Sequence, residues 1–70
     1  MNEWLAARAD ALGVDHLTPE QISLLLNLAG DAAHESGTRT NAPLLCYLVG
    51  RAQASGASLE ELVETVRSTS

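Results

Sequence analysis

The chain contains no lysine and no phenylalanine, and only one cysteine, one tryptophan, one tyrosine and two prolines in 70 residues. With Cys46 alone, an internal disulfide is impossible. A zinc site would have to be assembled from Cys46, His16 and His34, whose spacing matches no ligand pattern, so neither a metal nor another cofactor is expected. The four cations are all arginines and are spread along the chain, against a net charge of −5. Nucleic-acid phosphates and anionic membrane surfaces both require clustered cations, so neither is an expected partner. Apolar runs are short, the longest being Leu44–Val49, and a bilayer span needs about 20 residues. The N-terminus lacks a basic stretch followed by an apolar core, so a soluble, cytoplasmic protein is expected. The chain also lacks a glycine-rich phosphate loop and any recognisable catalytic set, so it is not expected to be an enzyme.

What remains is mostly leucine and alanine. Alanine favours helix and permits close helix approach, while β-branched residues are too few and scattered for strands. The fold class is therefore all-α, a single domain over residues 1–70 with helices at about 3–12, 19–35, 42–55 and 59–68, packed as a compact four-helix unit. A domain this small buries only about 60% of its unfolded surface. Without a disulfide or a metal, it must rely on helix packing, aided by self-association.

Each boundary carries a local signal. Asn2 can cap the first helix and Gly13 can end it. Thr18, Pro19 and Gln21 read as N-cap, N1 and N3 of a capping box, with Leu17 stapling to Ile22. Gly37 stops the second helix, Asn41 caps the third, and Gly56 ends it. Ser58 and Glu61 form a second capping box, and Ser68–Ser70 is expected to fray. The second helix carries Ile22, Leu25, Leu26, Ala29 and Ala33 on one face, widened by Leu24 and Leu28. The third is nearly as apolar, and Gly50 within it suggests a close helix crossing or a bend. In the fourth, Leu59, Leu62, Val63 and Val66 form the apolar stripe, with Glu60, Glu61 and Glu64 facing water.

Between the second and third helices lies a polar elbow, Asp31 to Pro43, which holds the candidate site residues Asp31, His34, Arg39 and Asn41. Asp31 and His34 are three apart on a helix, close enough to touch, and Arg39 follows across the turn. In a functional reading this is an anion pocket. His34 and Arg39 supply donors, Asp31 orients the imidazole, and the N-terminus of the third helix adds backbone N–H groups. In a structural reading His34 pairs with Asp31 and caps the second helix, while Arg39 reaches Glu35 or a helix carbonyl. The structural reading takes precedence, because such clusters are often ion-pair networks.

Trp4-Leu5, the block Leu28-Ala29-Gly30-Asp31-Ala32-Ala33-His34-Glu35, Arg39, Ala42-Pro43-Leu44 and Leu48-Val49-Gly50 together span most of the chain. In this pattern the chain resembles a small actinobacterial helical domain of unknown function. That family occurs alone or fused behind molybdenum cofactor guanylyltransferase domains of molybdopterin-guanine dinucleotide synthesis. Asn27 stands where that family usually has aspartate, Gly30 where it has a longer residue, and its tryptophan-containing C-terminal segment has no counterpart here. The resemblance implies no catalytic residues.

Three other patterns lead nowhere. Leu12-Gly13-Val14-Asp15-His16-Leu17 is similar to a phosphopantetheine attachment sequence, but His16 stands where the serine hydroxyl is required. Cys46 lies in an apolar helix and reads as a small hydrophobe. The acidic charge and the apolar third helix oppose a DNA-binding helix-turn-helix. The sequence thus favours a non-catalytic interaction or accessory domain that binds a protein partner or itself as a homodimer, in a molybdenum cofactor setting implied by the resemblance. The alternative is a module for a small anionic ligand or nucleotide at the elbow.

Overall fold

Four helices account for the regular structure of the computed structural model, which describes residues 1–69: α1 (Glu3–Leu12), α2 (Pro19–Ser36), α3 (Asn41–Gln53) and α4 (Leu59–Arg67). All four expected helices are present, and no strand occurs among the described residues. No helix among them is long and apolar enough to cross a membrane.

The caps explain most of the boundaries. The Asn2 side chain accepts the Leu5 N–H at 2.8 Å. At the other end of α1, Gly13 is left-handed (φ 70°), and the Gly13 and Val14 N–H groups reach the Asp10 and Ala9 carbonyls. That is a Schellman closure, open to glycine because a Cβ is disfavoured at this φ. α2 starts with a complete capping box: Thr18 Oγ1 accepts the Gln21 N–H at 3.1 Å, and Gln21 Oε1 accepts the Thr18 N–H at 2.9 Å. Two orphan donors of the first turn are thereby satisfied.

Two expected caps differ. Asn41 is the first residue of α3, not its cap. The capping position is Thr40, whose backbone is already helical (φ −66°, ψ −18°) and whose side chain makes no capping bond. The chain enters α3 through a tight turn, with Asn41 N–H on the Thr38 carbonyl and Ala42 N–H on the Arg39 carbonyl, so a side-chain cap is not required. At α4 only half of the second capping box forms: Ser58 Oγ accepts the Glu61 N–H at 3.2 Å. α3 also ends at Gln53, two residues early, in a turn that leads to left-handed Gly56. Ser68 and Thr69 remain tied to the end of α4, through Ser68 Oγ to the Glu64 carbonyl and Thr69 Oγ1 to the Thr65 carbonyl. Ser70, the last residue of the tail expected to fray, lies outside the described residues.

The core sits where α2, α3 and α4 meet. Leu28, Val49, Leu59 and Val63 are buried there, with Leu24, Leu25, Leu45, Leu62 and Val66 packed around them. Fully burying each such aliphatic side chain contributes about 1.5–3 kcal/mol. The apolar stripe of α4 is the expected one. On α2 the core takes Leu28 with Leu24 and the expected Leu25 beside it, and Leu26, placed on the core face by its spacing, is 68% exposed. On α3 the core takes Leu45 and Val49, four apart, and leaves Leu44, Tyr47 and Leu48 in solvent. Gly50 is not at a close crossing, since a Cβ built there meets nothing within 4 Å.

α1 stands apart. No Cα of α1 comes within 8 Å of a Cα in another helix, whereas packed helices run 8–10 Å axis to axis. Its link to the rest is the 13–18 segment, which folds back on the helix end: His16 Nε2 donates to Asp10 Oδ1 at 2.7 Å.

Candidate functional site

The elbow joins α2 to α3, and its shape is set by a serine hydroxyl and a glycine. Gly37 takes the left-handed conformation (φ 70°) that ends α2. Ser36 Oγ donates to the Ala32 carbonyl at 2.6 Å and accepts the Thr38 N–H at 3.2 Å, which pins the chain as it leaves the helix. Ser36 therefore holds the end of α2, where the structural reading of the sequence placed His34 as the cap.

The four candidate residues are not drawn into one network. Asp31 Oδ2 pairs with Arg67 at 3.1 Å, a bridge from α2 to α4, rather than with His34 one turn along its own helix. Both side chains are about half exposed (46% and 52%), so the pair is a surface bridge worth about 0.2–1 kcal/mol. His34 and Arg39 are exposed and enter no ion pair among the described residues. Arg39 does not bridge to Glu35. Asn41 lines an open groove of about 540 Å³, bounded by Glu35 of α2, by Leu44, Leu45 and Leu48 of α3, and by Val66 of α4. The groove wall is mostly apolar. Its polar groups include a carboxylate and an amide, and the cations proposed for anion binding are not among its lining residues.

Beside the groove, the apolar surface continues outward. Leu44 is 61% exposed, Tyr47 67% and Leu48 54%, all on α3. α1 adds Trp4, Leu12 and the adjoining Val14, each more than half exposed. Both aromatic side chains of the chain are thus on the surface, and each carries an arginine. The Arg8 guanidinium lies 3.9 Å from the Trp4 ring centroid, and that of Arg51 lies 5.8 Å from the Tyr47 centroid. These are cation–π contacts between residues four apart on a helix. The aromatic–arginine pairs were visible in the sequence as tryptophan and tyrosine followed by arginine four residues later.

Among the described residues, no three His, Cys, Asp or Glu side chains gather in a metal-binding group. Cys46 is half-buried within α3 and forms no disulfide.

No curated protein sequence and no solved structure matches this chain. One family model does, over residues 1–70. The chain accordingly belongs to the family described as a domain of unknown function (DUF6457).

Proposed function

We propose that this chain is a non-catalytic interaction domain, which binds a protein through the apolar surface that α3 presents beside the elbow. The observation that carries the reading is the exposure of Leu44, Tyr47 and Leu48 next to an apolar groove. A small monomer seldom leaves several large apolar side chains together in water unless they are used for contact. Tyrosine, tryptophan and arginine are also the residues enriched where protein partners bind most strongly. The setting drawn from the sequence resemblance, accessory to a molybdenum cofactor guanylyltransferase, names the first partner to look for. The anionic-ligand reading ranks second, since Asn41 shares its groove with the Glu35 carboxylate, which repels an anion there.

The test is a photo-crosslinking residue placed at Leu48 and, as a control, at Glu60 on the wet face of α4. Crosslinking in the native cell is expected from position 48 and not from position 60. Equal yields from the two positions would overturn the reading, and recovery of the guanylyltransferase would fix the setting.

A further inference from the structure

We infer that the occupant of this surface is a second copy of the chain, with α1 of each copy lying on α3 of the other across a two-fold axis. The inference rests on the interaction-domain reading and names its partner.

The first argument is area. Folded monomers of 7.4 kDa expose about 4,200 Å² by the scaling of surface with mass. This chain exposes 5257 Å², an excess of about 1,000 Å² over that scaling. A stable interface buries about 800 Å² on each partner, so the unburied surplus is of the size that one copy gives up on pairing. The radius of gyration is 12.4 Å, against about 11 Å expected for a compact chain of this length. α1 contributes to that surplus: no Cα of it comes within 8 Å of a Cα in another helix, and Trp4 and Leu12 are 64% and 75% exposed.

The second argument is self-complementarity. A two-fold dimer needs two patches on each chain that fit each other, because each contact occurs twice. α1 offers a projecting apolar helix with Trp4 and Leu12, and α3 offers an apolar face and groove with Tyr47, Leu44 and Leu48. α1 does not reach its own α3, and its C-terminal end is held by the Gly13 closure and the His16–Asp10 contact.

Sedimentation equilibrium of the full chain, from micromolar to millimolar, tests the inference. The mass is expected to rise to twice 7.4 kDa. Trp4→Arg and Leu48→Glu replace exposed side chains, so both variants should keep wild-type helical circular dichroism. Each alone should associate about thirtyfold or more weakly. Mixed in equal amounts they should dimerise again, because the mixed pair has one native junction and one arginine–glutamate junction. A mass fixed at the monomer up to millimolar, a mass above the dimer, or variants that weaken pairing but do not complement each other would overturn the inference. A monomeric chain that still crosslinks another protein through position 48 would leave the interaction-domain reading standing and replace the second copy with a different partner. A monomeric chain that crosslinks nothing would remove both.

Discussion

α1 and the three-helix core are built from the same residues and have different fates. Leu5 and Leu12 in α1 are no less apolar than Leu24 and Leu28 in α2, and α1 is closed at both ends by well-formed caps. Yet Leu28 is 2% exposed and Leu12 is 75% exposed. Caps and helix propensity make a helix, but burial requires a complementary neighbour. The core has three helices that supply one another with a face. α1 buries only Ala9, at 8% exposure, so it draws far less on apolar contact than α2–α4 do and depends more on its caps.

One chemical change made in both regions should separate them most widely. Leu28→Ala empties the best-packed site of the core and is expected to cost about 2–5 kcal/mol, enough to unfold much of a domain this small. Urea denaturation followed by circular dichroism reads the loss. Thr18→Ala acts at the junction of the two regions. It removes one arm of the capping box and should cost about 1 kcal/mol, seen as a lower urea midpoint at unchanged slope. Gly50→Ala should move in the other direction. Open space surrounds the position, the residue is helical, and alanine gains about 0.5–1 kcal/mol by propensity, measurable as a higher melting temperature. Leu12→Ala, at concentrations too low for association, should change stability by no more than about 0.5 kcal/mol. A cost for Leu12→Ala comparable with that for Leu28→Ala would show that α1 is part of the core after all.

How much of this was legible in the sequence follows the range of the interactions involved. The start of α2 could be read to the atom, because a capping box is complete within four residues. The same holds for the left-handed glycines at 13 and 37. The face of α4 was legible because its glutamates mark the opposite side. On α2 and α3 the periodicity failed. Helices apolar on most of their circumference give no single stripe, and Leu26, Leu44 and Leu48 were as eligible for burial as Leu28 and Val49. At the elbow the sequence could propose only neighbours three or four apart, so Asp31 was matched with His34. Its actual partner, Arg67, is brought in by the packing of α4 on α2. The isolation of α1 was illegible for a similar reason: a tryptophan and two leucines announce an apolar helix and say nothing about what covers it.

The position of Trp4 has a practical consequence for any fluorescence measurement. It is the chain's only tryptophan, it is 64% exposed, and it sits on the helix outside the core. Its emission in the isolated chain therefore reports a wet indole under an arginine. Melting the α2–α4 core changes that environment little, whereas covering α1 changes it strongly. Intrinsic fluorescence is thus a poor thermometer for this fold and a direct optical gauge of whether α1 is occupied: a blue shift on raising the protein concentration would announce the partner before any mass is measured.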